Sequence, residues 1–178
     1  SRTMSNQARI SRFLSYVLRH KPEAIGLELD AGGWLEVDEL LLGANRAGIH
    51  LEKAELRRLV AENDKQRFVF SADGKRIRAS HGHSISVDLG LEPLAPPEYL
   101  YNGTADRFLS AIRQQGLLPG ERNYVHLSPD QETATAVGQR HGRPIVLVVA
   151  TGQMHQQGFT FYHSDSGVWL TARVPTNY

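Results

Sequence analysis

The spacing of apolar residues changes near Arg67, and that change limits the folds open to this chain. Before it, Ile10, Phe13, Leu14, Val17 and Leu18 recur at three- and four-residue intervals, which puts them on one face of a helix over 6–19. Pro22 closes that helix, because proline has no N–H to continue the ladder and disfavours helical backbone just before it. Asp38 is placed to cap a second helix through Leu40, Leu41 and Ala44 to about Arg46, and Leu56, Leu59 and Val60 mark a third over 52–62. From Arg67 the period shortens. Arg67-Phe68-Val69-Phe70 and Lys75-Arg76-Ile77-Arg78 flank the turn sequence Ser71-Ala72-Asp73-Gly74, which predicts a β-hairpin. Three helices closed by a hairpin is the order of a winged helix.

The pattern then breaks up between His81 and Pro97, ending in Pro93, Pro96 and Pro97. This predicts a first lobe over 5–85, a linker over 86–97 and a second lobe over 98–178. Ser1 to Met4 is set apart as a frayed start. In the second lobe, Tyr99-Leu100-Tyr101 reads as a strand, with Thr104 capping a helix over 105–115 that Gly116 ends. Tyr124 to Leu127 is the next strand. Ser128 as N-cap, Pro129 at the first helical position and Gln131 as capping-box partner open a helix to His141, stopped by Gly142. Ile145 to Ala150 is a continuous apolar run, expected as a strand buried on both faces. Further strands are expected over 159–162 and 168–174. The fold class is α+β.

Composition narrows the chemistry. The 178 residues are 40% apolar and 22% charged, ordinary values for a folded chain, with no apolar run long enough for a bilayer. Cysteine is absent, which removes disulfides, thiolate zinc sites and a thiol nucleophile and makes the cytoplasm the expected compartment; the lack of an apolar span leads to the expectation of a soluble protein, with monomer the default. Net charge is +3 through Ile85 (14 basic against 11 acidic side chains) and −2 from Ser86 onward (6 against 8). A polyanion meeting the first half and an ordinary solvated surface both account for that difference.

Candidate residues therefore come from His, Arg and hydroxyls. Arg19, His20 and Lys21 cluster at the end of the first helix, where cations also serve simply to complement the helix dipole. Arg67 opens the hairpin and Arg140 closes a helix, positions that a solvated charge occupies equally well. Tyr101-Asn102-Gly103-Thr104, read as a strand-to-helix turn, offers amides and a hydroxyl to an anion, or is only a turn. No Gly-rich dinucleotide fingerprint or Walker sequence is present. His81 and His83 lie two apart without partners at ligand spacing, so no metal site is expected.

Taken together, the ordered segments Phe13-Leu14-Ser15-Tyr16-Val17-Leu18-Arg19-His20-Lys21-Pro22, Gly33-Trp34, Lys65-Gln66-Arg67-Phe68, Gly82-His83-Ser84, Tyr101-Asn102-Gly103-Thr104, Val125-His126-Leu127-Ser128, Gly138-Gln139-Arg140-His141-Gly142 and Gly167-Val168-Trp169-Leu170-Thr171 resemble the RNA 2′-phosphotransferase family (KptA-like). The resemblance implies a winged-helix, RNA-binding lobe followed by an ADP-ribosyltransferase-like, NAD-binding lobe with a mixed or antiparallel β core, and an active site in the cleft between them. It implies that Arg19, His20, Arg67 and Arg140 bind the RNA 2′-phosphate and are catalytic. Asn102, Gly103, Thr104, His126 and Ser128 are implied as NAD+ contacts.

The implied reaction consumes NAD+ and needs no metal. The 2′-phosphate attacks C1″ of the nicotinamide riboside and nicotinamide leaves; ribose O2″ then attacks the phosphorus, releasing RNA with a 2′-OH and ADP-ribose 1″,2″-cyclic phosphate. Planar guanidinium forks suit a phosphate dianion, and an imidazole suits proton transfer near neutral pH. Partners are then NAD+ and an RNA with an internal 2′-phosphate, with tRNA processing or RNA repair as the setting. One departure is Asn102, where the family usually has histidine; asparagine keeps hydrogen bonding but neither titrates nor stacks alike. Two other readings remain open on sequence grounds: a winged-helix nucleic-acid-binding regulator, and an ADP-ribosyltransferase that modifies terminal phosphates of nucleic acid.

Overall fold

The computed structural model describes residues 2–63 and 66–178, with side chains from Asn6 onward. Ser1, and Asp64 and Lys65 ahead of Arg67, lie outside the described residues. The chain forms two compact units, Ser1–Gly90 and Leu91–Tyr178. Both mix helices with small sheets, and every strand pairing among the described residues is antiparallel.

In the first unit, helix α1 (Arg2–Arg19) buries Ile10, Leu14, Val17 and Leu18, the stripe that its 3.6-residue period predicts. It starts four residues ahead of the expected Asn6. A short 3-10 turn (Pro22–Ile25) follows, then strand β1 (Leu35–Glu36), α2 (Val37–Arg46) and α3 (Lys53–Glu62). Strands β2 (Phe68–Phe70) and β3 (Arg76–Ala79) form the expected hairpin, and β1 adds to its β3 side with Leu35 opposite Ile77. Leu40, Leu56, Phe68 and Ile77 meet in a core with the α1 stripe. Burying each such side chain contributes roughly 1.5–3 kcal/mol.

Asp38 is not the cap of α2. The first N–H of that helix, on Val37, donates to the Lys75 carbonyl of the hairpin (2.9 Å), so the sheet does the capping. Asp38 sits in the first turn and pairs with Lys53 across 3.4 Å.

The second unit departs further from expectation. Strand β4 (Leu100–Ala105) runs through Asn102, Gly103 and Thr104, which pair with Leu147, Val146 and Ile145 of β6 (Pro144–Val149). Thr104 is therefore a strand residue and caps nothing. A 3-10 turn (Asp106–Phe108) leads into α4 (Leu109–Gln115), which ends at Gly116 as expected. After β5 (Val125–Leu127), helix α5 (Gln131–Gln139) begins later than Ser128 and Pro129 suggested: its N-cap is Asp130, whose carboxylate accepts the Thr133 N–H at 2.7 Å. Ser128 instead pairs with Tyr101 through two backbone hydrogen bonds (2.9 and 2.7 Å). Helix α6 (Thr151–Gln156) follows β6 where no helix was expected, and β7 (Phe161–His163) and β8 (Trp169–Thr171) complete a sheet in the order β5-β8-β7.

The expectation that the 145–150 run is buried on both faces is also corrected. It forms one strand of a two-stranded sheet that α5 packs against, so Val149 is buried while Val148 is 55% exposed. Glycines set how closely α5 approaches β4. A Cβ on Gly103 would run into the Ala134 carbonyl, and one on Gly138 would stand 2.6 Å from the Thr104 oxygen. Helix and strand backbones thus touch with no side-chain layer between them.

Candidate functional site

At the end of α1, the segment Gly82-His83-Ser84 folds against Arg19 and His20. Gly82 has a left-handed φ of 87°, and the Arg19 side chain lies on it so closely that a Cβ there would be 3.2 Å from Arg19 Nε. The Ser84 N–H donates to the Arg19 carbonyl (3.0 Å), and the Ser84 hydroxyl shares a 2.9 Å hydrogen bond with His20 Nδ1. His83 is buried between them in sequence. Burial first, then the charges of Arg19, Arg78 and His20, lower its pKa to about 4, so it is a neutral side chain at pH 7. Its Nε2 has no hydrogen-bond partner among the described residues. Arg78 donates to the Gly32 carbonyl (3.2 Å) and stacks on Trp34 at 4.3 Å.

Arg67 enters from the hairpin. Gln66 before it takes a left-handed φ of 45°, its carbonyl accepting the Ser80 hydroxyl, and the Arg67 carbonyl accepts the Ser80 N–H at 2.9 Å. Because Ser80 leads directly into Gly82-His83-Ser84, the register brings Arg67 to the end of the hairpin from which that segment departs. Arg19, His20 and Arg67 all belong to the first unit; Arg140 belongs to the second.

In the second unit, Asn102 and His126 sit on neighbouring strands, with Asn102 Nδ2 donating to the His126 carbonyl (3.2 Å). Thr104 and Ser128 are buried beside this strand pair, and Gly103 is accounted for by the approach of α5. The tie that sequence reasoning misses is Arg122. Its Nη1 lies 2.7 Å from His126 Nδ1, and a guanidinium has no acceptor, so Nδ1 must carry the lone pair and His126 is neutral with its proton on Nε2. Partial burial of the Arg122 guanidinium, and secondarily the charge of Arg140, hold its pKa below the usual arginine value. Two like charges, one of them bonded to His126, are therefore in electrostatic reach of one another, an arrangement that an anion relieves. Arg140 itself is exposed at the C-cap of α5. The available sequence signal for Arg122 is its place four residues before His126 in Glu121-Arg122-Asn123-Tyr124, a polar run that otherwise reads as a loop.

No cluster of three or more His, Asp or Glu side chains suited to a metal ion occurs among the described residues, and no described helix is long and apolar enough to cross a membrane. An apolar recess lined by Leu109, Ile112, Leu147, Val149 and Tyr178 holds none of the expected site residues.

The family described as RNA 2'-phosphotransferase, Tpt1 / KptA family, matches residues 5–173. A protein of Agrobacterium fabrum named "Probable RNA 2'-phosphotransferase" is 59% identical over 168 residues, covering 94% of this chain and 90% of that one. One of Pectobacterium carotovorum with the same name is 56% identical over 178 residues (98% and 96%), and one of Escherichia coli strain SE11 is 51% identical over 169 (94% and 92%).

Proposed function

We infer the activity from one premise, that this chain belongs to the RNA 2′-phosphotransferase, Tpt1 / KptA family: it is an enzyme that takes the 2′-phosphate from RNA and passes it to ADP-ribose derived from NAD+. The first unit acts as a winged-helix-like RNA lobe and the second as an ADP-ribosyltransferase-like lobe. The observation that carries the reading is the held pair Arg19–His20, adjacent residues fixed by one three-residue segment whose Ser84 bonds the imidazole.

The residues of the second unit fit NAD+. Arg122 suits its pyrophosphate, and neutral His126 offers an Nε2–H. Asn102, Gly103, Thr104, His126 and Ser128 would line the dinucleotide with Arg122. When bound, NAD+ supplies an activated ribose: C1″ accepts the RNA 2′-phosphate as nicotinamide leaves. Transfer is completed when O2″ forms its bond to phosphorus, loses its proton, and the phosphorus–O2′ bond to RNA breaks with protonation of O2′.

Arg19, Arg67 and Arg140 are assigned to the phosphate oxygens, and preorganised guanidinium groups stabilise the negative charge that builds there. His20 hydrogen-bonds the phosphate and moves a proton in the second half of the reaction. Neither role calls for a metal. The direct test is an incubation of the protein with NAD+ and a short RNA bearing one internal 2′-phosphate. Loss of that phosphate with one nicotinamide and one ADP-ribose 1″,2″-cyclic phosphate per RNA is the expected result; sequence-selective duplex binding without turnover overturns it. In His20→Ala, RNA carrying ADP-ribose on its 2′-phosphate should accumulate.

A further inference from the structure

We propose that Ser84 is a positioning residue that sets the ring orientation of His20 before RNA arrives. The Gly82-His83-Ser84 segment has no role in the chemistry inferred above, yet its Gly82 and Ser84 are both set against the two residues that do. Ser84 is 64 residues from His20 in sequence, and its hydroxyl meets Nδ1 at 2.9 Å. Its backbone N–H is bonded to the carbonyl of Arg19, at 3.0 Å, so the hydroxyl is indexed to the same helix end that carries the imidazole. Gly82 lets the Arg19 side chain lie directly on the segment, and buried His83, neutral at pH 7, fixes the middle of it without adding a charge.

His20 is exposed and follows the last residue of α1, a place where an imidazole samples several rotamers and both tautomers. A hydroxyl can donate to Nδ1 or accept from it, so the bond fixes which edge of the ring faces Ser84, and Nε2 is the nitrogen left to meet the phosphate. The nitrogen that meets the phosphate is thereby chosen in advance, and misplacing such a group by about 1 Å costs on the order of 100-fold in rate.

The kinetic consequence rests on the phosphotransferase reading; the structural one does not. The experiment uses the full chain labelled with 15N-histidine, as wild type, Ser84→Ala and Ser84→Thr, with His20→Ala to assign the ring signals. The wild type should show His20 ring shifts of a single hydrogen-bonded Nδ1, Ser84→Ala shifts averaged toward those of an unbonded imidazole, and Ser84→Thr the wild-type pattern, since threonine retains the hydroxyl. With NAD+ and 2′-phosphorylated RNA, Ser84→Ala should slow the second half-reaction by about 10-fold to 100-fold, with KM for NAD+ unchanged, and Ser84→Thr should restore it. An unchanged His20 ring pattern in Ser84→Ala overturns the proposal, as does equal slowing in the alanine and threonine variants. If the wild type fails to turn over the RNA, the inferred activity falls while the ring pattern still decides the role of Ser84.

Discussion

Gly103 and the Ala134 carbonyl occupy adjoining space so tightly that the strand has no room for any side chain there. Gly103→Ala should therefore push α5 off β4 and destabilise the second unit by on the order of 3 kcal/mol, the upper range of overpacking costs. Trp34 and Trp169 are the two tryptophans and fall in different units, so urea unfolding followed by fluorescence in a Trp34→Phe background reports the second unit alone. An unchanged midpoint would show that helix and strand separate freely.

Arg122 should matter alongside Arg140. The Arg122 guanidinium is bonded to His126, and both arginines are exposed. Arg122→Ala is expected to lower kcat by about 100-fold to 1,000-fold, the range for loss of a preorganised donor, and Arg122→Lys should not recover it. Arg140→Ala is expected to lower kcat over the same range. Single-turnover assays rank the three, and a rate for Arg122→Ala equal to wild type removes Arg122 from the site.

Much of the first unit is readable from sequence because its elements are long enough to show a period. The α1 stripe and the hairpin turn declare themselves, while β1, two residues long, cannot show any alternation. In the second unit the same chemistry misleads. Asn102-Gly103-Thr104 has the composition of a turn ending in a cap, but Gly103 is there for the close approach of a helix that lies some thirty residues downstream. Arg19, His20 and Arg67 stand out as motif residues; Arg122 does not, since its value depends on His126 turning Nδ1 toward it.

Asn102 spends its amide N–H on the His126 carbonyl, so it ties β4 to β5 from within the strand pair. Asn102→His should tighten NAD+ binding by about 2-fold to 10-fold, the worth of one hydrogen bond. Isothermal titration of both proteins decides it. Equal affinities would mean that the strand tie is all this position contributes.

Acid should weaken the first unit through His83. Its folded pKa of about 4 lies below the ordinary 6.5, so between these values the unfolded chain binds a proton that the folded unit resists. The stabilisation is fully present above 6.5 and is lost as pH falls toward about 4. Denaturation followed by Trp34 fluorescence in a Trp169→Phe background should show a falling midpoint from pH 7 to pH 5, and His83→Phe should flatten that slope. The same slope in both proteins would assign it to other groups.

The 2.7 Å contact between Arg122 and His126 also restricts what the imidazole can greet. A partner that only gives hydrogens leaves the opposite nitrogen a giver too, so a molecule arriving at that edge must bring lone pairs. Hydroxyl and phosphate oxygens of a nucleotide satisfy this; an ammonium or another guanidinium is turned away. Selectivity at this strand is thus written by a neighbour four residues upstream, and exchanging His126 for asparagine, which can flip its amide, would erase the preference while keeping the polarity.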